Sequence, residues 1–106
     1  MFKGNLGDLI RQAQQLGENL KAHQEELAKK TVEVAVGGGM ISMTFNGKSE
    51  ALSIRIDPEV VDRNDVGMLE DLVLSAVNEG VRRSQKMQQE EMAKLAGGLN
   101  IPGITS

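Results

Sequence analysis

Thr31-Val32-Glu33-Val34-Ala35-Val36-Gly37-Gly38-Gly39-Met40-Ile41-Ser42-Met43-Thr44-Phe45-Asn46-Gly47 is the stretch that decides the fold of this 106-residue chain. Val32, Val34 and Val36 alternate with Thr31, Glu33 and Ala35, and Ile41, Met43 and Phe45 alternate with Ser42, Thr44 and Asn46. A period of two marks a strand with one buried face. Leu52, Ile54 and Ile56 repeat the pattern against Ala51, Ser53 and Arg55, which makes a third strand. Gly37-Gly38-Gly39 links the first two strands, and Asn46-Gly47 reads as a tight hairpin turn between the second and third. A three-stranded antiparallel meander is expected. It closes at Ile56-Asp57-Pro58, because proline has no N–H for the ladder.

On both sides of the meander the period changes to that of a helix. Leu6, Ala13, Leu20 and Leu27 are seven residues apart, and Leu9, Leu16 and His23 form the companion row. This coiled-coil-like seam predicts a helix from about Leu6 to about Lys29, capped by Asn5 and with Asp8 favourably placed in its first turn. Gly17 inside it weakens the helix by about 1 kcal/mol relative to alanine. At ~1.5 Å per residue the helix is roughly 35 Å long, more than a three-stranded sheet covers. Beyond the sheet, Asn64 or Asp65 caps a second long helix. Leu69, Leu72, Val73, Ala76, Val77 and Gly80 form its wide apolar stripe. After Gly80 the stripe thins to Val81, Met87, Met92 and Leu95, so the first half is core and the second half projects. Gly97-Gly98 ends the helix, and Leu99–Ser106 is expected to be a flexible tail. The fold class is α+β: one α-β-β-β-α domain over residues 1–98.

An uncovered seam needs a partner. The core has only Phe2 and Phe45 as aromatics, and a chain this small that spends residues on projecting helices buries little surface alone. A dimer is therefore expected. With no cysteine there is neither a disulfide framework nor a thiolate metal site. Met1-Phe2-Lys3-Gly4-Asn5 has no apolar run behind it and no stretch approaches the length of a membrane span, so the expected compartment is the cytoplasm.

Chemistry-bearing constellations are few. His23 with Glu26 lacks further metal ligands and fits a helix seam better than a metal site. The glycine run lacks the Lys-Ser/Thr of a phosphate-binding loop and lies between strands. No Cys–His pair exists, and the single histidine is in the seam, so no nucleophile–base couple is expected. The acids from Asp57 to Asp71 are accounted for by capping and helix-dipole effects. No enzyme activity, cofactor or metal is expected.

The net charge of -3 argues mildly against a nucleic-acid partner, but its distribution does not. Six acids against one base lie between Asp57 and Asp71, whereas four bases against two acids lie between Arg82 and Lys94. An acidic dimer can still present basic prongs.

Gln12-Ala13-Gln14, Gly37-Gly38-Gly39, Asn46-Gly47, Ile56-Asp57-Pro58, Leu69-Glu70-Asp71-Leu72-Val73 and Ala76-Val77-Asn78-Glu79 follow one another in order. With this order the chain resembles the YbaB/EbfC family of bacterial nucleoid-associated proteins over nearly its whole length. The resemblance implies an α-β-β-β-α protomer, a tweezer-like homodimer in the nucleoid, and binding of duplex DNA with little sequence preference. The candidates for phosphate contact are Arg82, Arg83, Lys86 and Lys94 on the second helix, with Lys21, Lys29 and Lys30 on the first. Their work would be charge neutralisation and counterion release. The plainer reading is a solvated surface in which Glu79–Arg83, Glu90–Lys94, Lys86–Glu90, Glu25–Lys29 and Glu26–Lys30 pair at four-residue spacing. The alternative function is a dimeric scaffold whose projecting helices dock a repair or replication protein.

Overall fold

The computed structural model describes residues 5–98. The element order is α1 (Leu6–Lys29), β1 (Thr31–Val36), β2 (Ile41–Asn46), β3 (Ala51–Ile56) and α2 (Val66–Gly98). The sheet is antiparallel in the order β1-β2-β3. The expected α-β-β-β-α arrangement is therefore present, with its first helix at the expected bounds. The expected tail, Leu99–Ser106, lies outside the described residues.

Local chemistry sets the ends of the elements. The Asn5 side chain accepts from the Asp8 N–H at 2.8 Å and caps α1. Asp65 accepts from the Met68 N–H at 3.3 Å at the start of α2. Gly37, Gly38 and Gly39 all have positive φ (62°, 68° and 92°), a region that side-chain-bearing residues rarely enter. Glycine is thus required in the β1–β2 turn.

The β2–β3 connection differs from the tight turn expected at Asn46-Gly47. It is a four-residue loop, Gly47 to Glu50, and the residue at positive φ is Ser49 (63°). Gly47 is glycine because of a close approach. A Cβ there would stand 2.6 Å from the Leu27 carbonyl oxygen. The Asn46 side-chain oxygen accepts from the N–H groups of Lys48 and Glu50, which shapes the loop.

The core is the face shared by the sheet and the first half of α2. Val34, Ile41, Met43, Phe45 and Ala76 are buried there, with Leu69, Leu72, Val73, Val77 and Val81 packed around them. Here the structure departs from the alternation. Ile54 and Ile56 pair with Met43 and Ile41 on the helix side, yet Ile54 is 48% exposed and Leu52 54%. Strands are ~4.8 Å apart and a helix is ~10 Å wide, so one helix covers two strands. α2 lies over β1 and β2, leaving β3 as a bare edge. The register slips between Thr44 and Phe45, a bulge at that edge that leaves Leu52 without an opposite residue.

Candidate nucleic-acid interface

Two helical prongs leave the same end of the sheet. Leu72 of α2 sits against Gly37 at one end, and Ser84 reaches Asn46 at the other. The twelve residues between advance ~18 Å, the length of the sheet. From Gln85 onward α2 continues past it. α1 joins at that same end, where its last turn, at Leu27, meets Gly47. Leu6, Leu9, Ile10, Leu16 and Leu20 are exposed along α1, so the predicted seam is uncovered in the single chain. The Cα atoms span 74 × 30 × 18 Å.

The joint between the prongs is polar and buried. Ser84 is fully buried and its hydroxyl donates to the Asn46 carbonyl at 2.7 Å. The Ser49 N–H and hydroxyl both donate to Ser84 Oγ, at 2.9 and 3.0 Å. Gln88 Nε2 donates to Ser49 Oγ at 3.1 Å. The Gly47 N–H donates to the carbonyls of Leu27 and Lys30 at 2.8 and 3.0 Å. The hydrophobic pattern of α2 does not single out Ser84. Its signal was a small hydroxyl residue in phase with Ala76 and Gly80 on the apolar stripe, where a polar group must find a partner.

The seven candidate cations are not equivalent. Arg82 and Arg83 both bond Glu79, at 2.6 and 3.0 Å, and Arg83 also donates to the Glu33 carbonyl at 3.3 Å. Hydrogen bonds from Arg82 and then Arg83 hold the Glu79 carboxyl below its usual pKa. Lys30 pairs with Glu91 across the two helices, and Lys94 is 3.4 Å from the same carboxylate. The Lys30 hydrogen bond is the main cause of the lowered Glu91 pKa. Among the described residues, Lys21, Lys29 and Lys86 make no ion pair. Of the five pairs expected at four-residue spacing, Glu79–Arg83 forms. Lys94 meets Glu91 three residues back on its own helix, and Lys30 meets it because the fold brings the end of α1 beside α2.

An open groove of about 470 Å³ brings Arg83 and Lys86 together with Val32, Met87, Glu90 and Glu91. Lys21 and Lys29 lie apart from it on α1. Lys48, exposed in the loop between the prongs, is a cation that the reading of the helices did not consider. No group of three or more His, Asp or Glu side chains is assembled to hold a metal among the described residues. No described helix is long and apolar enough to cross a membrane.

Helix-borne cations on projecting arms suit a long polyanion better than a small substrate. The model of the YbaB/EbfC DNA-binding family matches residues 2–99. The chain belongs to the YbaB/EbfC family. YbaB/EbfC is a DNA-binding family and not a family of enzymes. A nucleoid-associated protein of a Thermoanaerobacter species is 55% identical over 100 residues, covering 94% of this chain and 90% of that one. A nucleoid-associated protein of Ruminiclostridium cellulolyticum is 47% identical, covering 97% and 90%. The crystal structure of an uncharacterized protein from Helicobacter pylori superposes with a TM-score of 0.75 at 19% identity, covering 88% of this chain and 98% of that one. That likeness places the α-β-β-β-α fold on an experimental backbone.

Proposed function

We propose that this protein is a cytoplasmic, nucleoid-associated homodimer that binds duplex DNA with little sequence preference. The observation that carries this reading is the layout: two prongs leave one end of a small sheet and bear Lys21, Lys29, Lys30, Arg82, Arg83, Lys86 and Lys94 on their flanks. Phosphate neutralisation needs cations along an extended surface and tolerates loose geometry, whereas base readout needs fixed bidentate donors. The names of the Thermoanaerobacter and Ruminiclostridium relatives agree with the nucleoid.

Two uncovered apolar surfaces support the dimer. One is the α1 seam. The other comprises the exposed Leu52 and Ile54 of β3 and a shallow groove of about 460 Å³ on α2 lined by Leu69, Glu70, Val73, Leu74 and Val77. Exposed apolar surface beside an unpaired strand edge suits a second copy of the chain.

A salt titration of binding to a duplex of mixed sequence tests the reading. Three or four cations per protomer give a log–log slope of roughly -5 to -7, and a scrambled probe binds nearly as well. A slope near zero with unaltered affinity defeats phosphate contact as the basis. The bare α1 seam favours one second reading, a scaffold that docks a repair or replication protein. That reading takes over if the protein binds no duplex even at low salt.

A further inference from the structure

The loop between β2 and β3 holds both prongs. α1 is fastened to Gly47, through the bond from its N–H to the Leu27 carbonyl and the absence of a side chain that would strike that carbonyl. α2 is fastened to Asn46, through Ser84. Two neighbouring backbone units thus set where each helix leaves the sheet. We propose that the Gln88–Ser49–Ser84–Asn46 hydrogen-bond chain fixes the gap between the prongs, with Ser49 and Ser84 as positioning residues for duplex binding. The proposal rests on the DNA-binding reading above.

Three features set this joint apart from ordinary packing. Asn46 and Ser84 are the buried polar residues of the described chain, and they meet here and not at the centre of the core. An apolar pair fills such a site without needing partners, whereas a satisfied polar chain admits a single arrangement. Ser49 holds a backbone conformation that suits glycine, and its N–H and hydroxyl are both tied to Ser84 across the chain. A non-glycine residue stays in that region when its surroundings over-determine it. The hydrogen bonds also run one way, from the Gln88 amide through two hydroxyls to a carbonyl, so each hydroxyl donates once and accepts. Gln88 is on the projecting half of α2, so the chain reaches from the sheet into the prong.

Distance measurement tests this in the whole protein. The chain has no cysteine, so Gln14→Cys and Gln89→Cys place one spin label on each prong without background labelling. Diluting with unlabelled protein makes pairs within one protomer dominate. Ser84→Ala and Ser49→Gly are compared with the parent. Ser49→Gly relieves the backbone and removes the hydroxyl links to Gln88 and Ser84 while keeping the N–H bond to Ser84, so it cuts the chain between the sheet and Gln88 and keeps the fold even if Ser84→Ala does not. The expected result is a broadened distance distribution and duplex binding weaker by about tenfold, because the arms are no longer preorganised. The salt slope is unchanged, because no cation is lost. Loss of a phosphate contact flattens that slope, and a purely structural role moves melting alone. An unchanged, narrow distribution in Ser49→Gly overturns the proposal. So does a broadened one with parental affinity. If the parent binds no duplex at all, the DNA reading fails, while the distances still decide whether the joint sets the gap.

Discussion

Gly80 of α2 lies directly on the ring of Phe45: a Cβ on Gly80 would stand 1.9 Å from Cε1 and 2.3 Å from Cδ1. A mid-helix glycine costs about 1 kcal/mol relative to alanine, and here that cost lets the helix approach the core's main aromatic. Gly80→Ala should therefore destabilise despite its better helix propensity, by about 1–3 kcal/mol net, as overpacking does. In a chain of this size the melting temperature should fall by roughly 4–8 °C per kcal/mol. Gly17→Ala is the control. A Cβ at Gly17 meets nothing within 4 Å, so melting should rise with up to about 1 kcal/mol of added stability. Calorimetry showing the two variants shifted in the same direction contradicts the packing argument.

Period and capping carried most of this fold in the sequence. The alternation at Val32–Val36 and Ile41–Phe45, the Asn5 cap and the glycine turn are local signals, and each appears where expected. What escaped depends on contacts far apart in the chain. Nothing near Gly80 or Gly47 announces that Phe45 and Leu27 will press on them. Nothing in the alternation of β3 tells that one helix covers only two strands. At the candidate interface the cations were legible as residue types, but their partners were not. Lys30 leaves Glu26, on its own helix, for Glu91, sixty-one positions away, because the loop at Gly47 sets the end of α1 beside α2.

That long-range pair gives a pH prediction. The Glu91 carboxyl is held below its usual pKa, first by the Lys30 hydrogen bond, and Glu79 is lowered by Arg82 and Arg83. A carboxyl whose folded pKa is depressed stabilises the fold above its unfolded value and loses that contribution as pH falls through the folded one. The parent should therefore lose stability below about pH 4.5 as both carboxylates protonate. Glu91→Gln should melt lower than the parent at pH 7 and show a shallower decline in acid, with the curves converging. Parallel curves in thermal melts across that range would falsify the assignment.

The dimer has its own test. Sedimentation equilibrium at micromolar concentration should give about 23 kDa, twice the chain mass of 11.5 kDa. Ile54→Asp puts a charge on the exposed β3 face, and Leu20→Asp puts one in the α1 seam. Each is an exposed position in the single chain, so neither should unfold a protomer, but a charge desolvated in an interface is costly. The variant at the true interface should sediment near the monomer mass. If both remain dimeric, the interface lies on neither surface.

A triple substitution at Arg82, Arg83 and Lys86 tests which face meets DNA. All three are exposed beyond the main apolar stripe of α2, and the core does not use their charge. Replacing them together with glutamine nearly preserves helix propensity. It removes the bonds to Glu79 and the Glu33 carbonyl, exposed contacts of a kind that contributes little to stability. The dimer should persist, with melting shifted by only about a few degrees. Duplex binding should fall at least about tenfold at moderate salt, with a flatter salt slope, because three phosphate-reaching cations disappear from each protomer. Lys86→Gln alone should account for a share out of proportion to its number, since Lys86 has no carboxylate partner among the described residues to give up before meeting a phosphate. Parental affinity in the triple variant moves the DNA surface to α1, where Lys21 and Lys29 make no ion pair among the described residues.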